Sequence, residues 1–541
     1  MPRRTTSAMG DLKDVHPRKS FVALLSAVAL TVLCAPLSWS EASQPVVRTQ
    51  THVDSPHAVW EDGTFRLMSN SAGYLPIEDT VNWVSRGRVD GGLGAYAWRV
   101  PDDPRFDFLD PYDEQLMYFG GPAHGFPKNT MPIWAGFGAA ADLPTEDFRA
   151  ASFNMEIVDF HGPGKMELFN YSDEVYPLNR LWSSHDPGFR ATWVNAGTHT
   201  HNSTTFTRPG RYEVTYRATA RLKDGSFIHS EPQTLVWQVG GTNPADRTIN
   251  DLPRAYSQAN ASGTGSPTFR MRPAQGETKG AQEGILTNLA FDTGNPKDAG
   301  HVVFLINGFY LAEREVVGGK ASWDEMIGEE FSDFQAVYIP VSGSPSPRWI
   351  STPLTFRTGA EASSTSERAE ELPTPQMDDI APFETEPFNI TSPDVVVSTG
   401  EVYGEDDRNI DITVRPADDR TTLRVSGGFY RIDGDPLTEL PEHAIADCEI
   451  EFTSAPGGRT SKQLVDGCRR PGHQLILKIV PEARSNATDA ALFNHLQEAD
   501  YSPIPETTVT LGEAPATPPA APTATSEAPS PQPSSPAPSP A

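Results

Sequence analysis

His199-Thr200-His201 is the stretch of this 541-residue chain whose residue types and spacing carry the clearest chemistry. On a β-strand alternate side chains share a face, so two histidines separated by one residue aim their imidazoles at one point. A His-x-His strand is a known way to supply two nitrogen ligands to zinc or another divalent metal. Two ligands do not complete a site. The groups available to complete it are His52, Asp54, His161 in a Phe-His-Gly-Pro-Gly turn, and His185. Set against this is a plainer reading, in which His199 and His201 lie on an exposed strand edge or bond to backbone and hold no ion. His124, His229, His301 and His443 have no partner by spacing and are expected to be structural or solvated.

No enzyme is expected. The chain has no H-E-x-x-H, no G-x-S-x-G, no P-loop and no G-x-G-x-x-G opening a helix. Paired carboxylates abound in so acidic a sequence, and nothing marks one pair out as a glycosidase site. Trp83, Trp98, Trp134, Trp182 and Trp193 are expected to fill cores rather than line a ligand site, since large aromatics dominate sandwich interiors.

The elements that must position the histidines are strands. Residues 43–241 contain period-two runs such as Arg211–Tyr216 and Thr234–Val239, separated by Pro-Gly and Asp-Gly turns. Trp134-x-Gly136 is expected in a turn. Residues 242–284 are polar and rich in Gly, Ser, Asn and Thr, so they are expected to be a linker. A second β domain is expected over 285–358, with one short helix over Ser322–Ile327 capped by Ser322. An acidic, Pro-containing linker follows at 359–384, then a third β domain at 385–512. Leu305–Tyr310 and Val425–Tyr430 share a hydrophobic-x-x-Gly-Phe-Tyr pattern, a weak sign that the second and third domains are copies. The expected fold class is all-β, with tandem Ig-like sandwiches.

Arg3, Arg4, Arg18 and Lys19 precede an apolar run from Phe21 to Leu37, and Ser40-Glu41-Ala42 fits a signal-peptidase site, so residues 1–42 resemble a signal peptide. Leu33 before Cys34 does not fit a lipobox. No later apolar stretch is long enough to span a bilayer. The expected location is therefore extracytoplasmic. A net charge of -28 at pH 7 argues against nucleic acid as a partner. Cys448 and Cys468 are expected to form a disulfide in that oxidising compartment. The segment 513–541, rich in Pro, Ala, Ser and Thr, is expected to be a disordered tail of the kind that crosses a cell wall, although it carries no sorting motif.

Several features occur in one order along residues 49–241. They begin with His52-Val53-Asp54, Glu61-Asp62-Gly63, and Val100-Pro101-Asp102-Asp103-Pro104 followed by Phe106 and Phe108-Leu109. Trp134-x-Gly136 and Gly162-Pro163-Gly164 come next. Gly197-Thr198-His199-Thr200-His201, Phe206-Thr207-x-Pro209-Gly210-x-Tyr212, Leu222-x-Asp224-Gly225 and Val239-Gly240 close the series. Together they resemble the actinobacterial surface-anchored repeat domain, the choice-of-anchor module associated with metal-type ABC transporters. The resemblance implies a surface receptor working beside a zinc or manganese ABC importer or its substrate-binding protein. It also gives His52 the best claim as third ligand, because His-Val-Asp belongs to the family pattern. Where the family has His-x-His-x-Asn-Trp, this chain has Ser203 and Thr204 in the last two places. The rival expectation is a cell-wall structural or adhesion protein with no metal site.

Overall fold

The computed structural model describes residues 44–512 apart from 87, 90–91, 94–95, 101–103, 110–116, 122–130, 173–175, 275–285, 379, 384–393, 401–409, 418–420, 433, 440–443, 455–459, 465–471, 484 and 496–504. The expected signal peptide, residues 1–42, and the expected tail, 513–541, together with His124, His443 and Cys468, lie outside the described residues.

The chain is all-β, arranged as successive packed sheets. The first unit stacks a seven-stranded sheet, built around Gln233–Val239, Gly210–Arg221 and Ser152–His161, against two five-stranded sheets. Its period-two runs pair along their whole length, from Gly210 opposite Val239 to Tyr216 opposite Gln233. Their inward residues Tyr212, Val214, Tyr216, Leu235, Trp237 and Val239 join one buried core with Phe153, Trp182 and Phe206. Burying large apolar side chains at about 1.5–3 kcal/mol each is what holds the layers together.

The second unit packs a four-stranded sheet on a five-stranded one around Phe269, Phe291, Phe304 and Tyr338. The third packs two four-stranded sheets around Val397, Ile412, Phe429 and Leu477.

Four expectations are corrected. Residues 242–284 are more than a linker. They hold a helix over Leu252–Gln258, capped by Asp251 and anchored by buried Tyr256, and the strand Thr268–Pro273 inside the second unit's sheet. The second expected linker, 359–384, also packs. Ser363–Thr365 pairs with Thr268–Pro273, and Met377, Ile380 and Phe383 lie on the first unit's core. Third, Lys320–Met326 is a strand and not a helix, paired with Leu286–Asp292 from end to end. Its inward row includes Glu325, a buried carboxylate that accepts from Tyr96 Oη at 2.5 Å and Trp323 Nε1 at 2.8 Å. A charged inward residue hides the alternation from a hydrophobic pattern. Fourth, the two Gly-Phe-Tyr segments occupy different places: Asn307-Gly308 turns a hairpin, whereas Gly427-Gly428 sit within the strand Leu423–Arg431.

Candidate metal site

Three strands of one sheet build the site. His199–His201 pairs antiparallel with Trp134–Ala139, which pairs parallel on its other side with His52–Glu61. The middle strand is therefore a strand and not the expected turn. Its Ala135, Phe137 and Ala139 enter the core, so Trp134, Gly136 and Gly138 face the other way. Gly136 stands opposite both His201 and Asp54, and Gly138 opposite both His199 and His57. Trp134 stands opposite His52.

The glycines let the histidine strand come close. A Cβ on Gly136 would lie 1.9 Å from the Thr200 carbonyl oxygen, and one on Gly138 would lie 2.7 Å from that of Thr198. A bulge supplies the remaining placement. Between Asp54 and His57 the register shifts by one residue against both neighbouring strands. That extra residue returns His57 to the face that already carries His52 and Asp54.

On this face the ligand atoms of His52, His199 and His201 all lie within 4.8 Å of one another. Among the described residues no other group of three or more His, Cys, Asp or Glu is drawn together in this way. His52 Nε2 and His201 Nε2 are 2.9 Å apart, and Asp54 Oδ1 is 3.6 Å from the same His52 nitrogen. The Trp134 indole stacks on His201 at 4.2 Å and meets His52 edge-on at 5.2 Å. His52 and His201 are half-buried, and His199 is exposed, which leaves a path from solvent.

Burial, with help from His52 and His199, pushes His201 down to about 4, while the Ala135 carbonyl acts weakly the other way. Burial first, then His199, also brings His57 to about 4. Burial raises Asp54, and His52 and His199 pull it back. His201 is thus a neutral imidazole at pH 7, the form that ligates a metal.

The other expected ligands are elsewhere. His161 ends a strand of the seven-stranded sheet, exposed and 3.1 Å from Asp159. His185 sits 3.4 Å from Glu167 Oε1 and 3.2 Å from Ser183 Oγ. Neither joins the group. Sequence reasoning missed three members of this face. His57 is out of period with His52 because of the bulge. Trp134 is expected in a core and instead packs against His52 and His201. Tyr74, 49% exposed, comes from a neighbouring strand and places its hydroxyl 3.4 Å from His57 Nε2. No protein-family model, curated protein or solved structure matches the chain.

Proposed function

We propose that this chain is a cell-surface binding protein that captures a divalent transition metal, zinc or manganese, either free or carried by a ligand, between His52, His199 and His201. One observation carries the reading: imidazole nitrogens from two strands converge within 4.8 Å over a strand thinned by Gly136 and Gly138. An ion with zinc–nitrogen bonds of about 2.0–2.1 Å in tetrahedral geometry holds its ligand atoms about 3.4 Å apart, which small side-chain rotations reach from here.

The residues divide the work. His201, stacked on Trp134 and stripped of its proton by burial, offers a fixed neutral nitrogen. His52 faces it from across the glycine strand. His199, at the rim, is the ligand first met from solvent. A bound ion would supply a positive centre for the lone pairs of these ring nitrogens. The resemblance of residues 49–241 to the transporter-associated surface domain supports a role beside a metal-type ABC importer, and the export-type N-terminus supports an extracytoplasmic location.

Metal analysis of the purified chain tests the proposal. The expected result is one equivalent of zinc or manganese in the wild type and none in the His199→Ala/His201→Ala double variant. Metal-free wild type that takes up no added ion would leave the cell-wall scaffold reading as the better one.

A further inference from the structure

The carboxylate beside the three histidines has His52, 3.6 Å away, as its ion-pair partner. Asp54 is 4% exposed, and its Oδ1 has no hydrogen-bond partner among the described residues. A buried carboxylate oxygen that accepts no hydrogen bond is costly unless a cation balances it. Such a group, aimed into a cluster of nitrogen ligands, points to a cation.

Its direction separates two roles. A carboxylate that merely orients a ligating histidine bonds the ring nitrogen on the far side from the metal. Here Asp54 Oδ1 approaches His52 Nε2, 3.6 Å away, and His201 Nε2 approaches that same nitrogen at 2.9 Å. Oxygen and nitrogen therefore both approach His52 Nε2, the nitrogen that would face a metal shared with His201. The 3.6 Å spacing is close to the roughly 3.4 Å between ligands of a tetrahedral ion. His57, the other buried group on this face, lies like Asp54 outside the three-histidine group, but its Nε2 faces the Tyr74 hydroxyl at 3.4 Å rather than a histidine of that group.

We infer that Asp54 supplies a fourth, anionic ligand, making a three-histidine, one-aspartate site for a divalent first-row ion; this rests on the metal-binding reading above. One carboxylate oxygen among imidazoles suits Mn²⁺, Co²⁺ and Zn²⁺ and disfavours soft Cu⁺, which takes thiolate and thioether ligands. Such coordination also brings the desolvated carboxylate a full counter-charge, where the protein offers only imidazoles.

The experiment titrates Co²⁺, Mn²⁺ and Zn²⁺ against a competing chelator into the full chain, as wild type, Asp54→Asn and His57→Gln. Circular dichroism first verifies that each variant is folded. Asp54→Asn is expected to weaken Co²⁺ binding by on the order of 10- to 100-fold, to alter the visible Co²⁺ spectrum, and to weaken Mn²⁺ more than Zn²⁺. It is also expected to raise the melting temperature of the metal-free chain, because a neutral isostere replaces a buried carboxylate whose Oδ1 accepts no hydrogen bond. A merely structural aspartate would not move affinity and metal-free stability in opposite directions. Affinity within about twofold of wild type in Asp54→Asn would overturn the inference while leaving the three-histidine site standing. A loss in His57→Gln matching that in Asp54→Asn would overturn it by moving the fourth ligand. Absence of binding by the wild type would remove both readings together.

Discussion

His201 and His301 are both partly buried imidazoles on strands of adjoining β units, and their surroundings drive their protons in opposite directions. In the second unit His301 Nδ1 lies 2.9 Å from the Glu313 carboxylate. That hydrogen bond, against the downward pull of burial, raises His301. Burial pushes Glu313 up, yet hydrogen bonds from His301, the Thr248 hydroxyl, and the Ile249 and Thr248 backbone amides leave it below its ordinary value. The Glu313 carboxylate is already supplied with donors, which leaves it little to offer an ion. In the first unit His201 faces other imidazoles, and Oδ1 of the nearby Asp54 accepts no hydrogen bond. The contrast teaches that histidine content does not make a metal site. What makes one is a set of donors and acceptors that the fold brings together and leaves unmatched.

The largest expected effect breaks that contrast at its centre. His199→Ala/His201→Ala should cost at least about 100-fold in zinc affinity, since losing a mere partner of a ligand already costs on the order of 10- to 100-fold. His301→Gln should leave the affinity unchanged. Equilibrium competition against a chelator measures both. Equal losses in the two variants would mean that zinc binds non-specifically through surface histidines.

A second test separates the units by their staples. Cys448 opens a strand of the third unit, and its expected partner Cys468 lies outside the described residues. Closing a loop of about 20 residues is worth roughly 3 kcal/mol by loop entropy. Reduction, or a Cys448→Ser/Cys468→Ser variant, should lower denaturant stability of the third unit by about that amount and leave zinc affinity intact. Two reactive thiols in the unfolded, unreduced chain would exclude the bond. Next in size is Gly136→Ala, whose Cβ would lie 1.9 Å from the Thr200 oxygen. Overpacking of this kind costs about 1–3 kcal/mol, and here it also pushes the histidine strand off its neighbour. Zinc affinity should therefore fall although no ligand is touched.

How much of this was legible in the sequence depended on whether a residue's neighbours were local. The Arg211–Tyr216 and Thr234–Val239 strands were legible because alternation is a property of one strand. So was the convergence of His199 with His201. His52 was one of several available completing groups and was preferred only through the resemblance, because its place across the glycine strand depends on sheet order. His57 could not be reached by counting in twos, since the bulge after Asp54 resets the phase. The strand carrying Trp323 and Glu325 was mistaken for a helix because its deepest residue is a carboxylate held by Tyr96, more than 200 positions away. Thr268–Pro273 was hidden by its polar flanks, and only its pairing with Leu286–Asp292 makes it a sheet member.

The smallest expected effect is a pair of opposite pH dependences, read as denaturant stability of the chelator-treated, metal-free chain. His57 has a folded value near 4 against an unfolded value near 6.5. Between those limits the unfolded chain binds the extra proton, so stability is full above about pH 6.5 and declines as the pH falls towards 4. His301 is raised in the fold, so its contribution is full below about pH 6.5 and is lost as the pH rises through its higher folded value. His57→Gln should therefore gain on the wild type as the pH is lowered from about 6.5 towards 4, with the difference vanishing above that window. His301→Gln should do the reverse, losing most against the wild type at about pH 5–6 and converging with it on the alkaline side. His301 is partly accessible to solvent whereas His57 is buried, so screening keeps the His301 difference modest, and for both the sign is the decisive reading. If the two difference curves bend the same way, the contrast between a histidine starved of partners and one supplied with a carboxylate does not describe this protein.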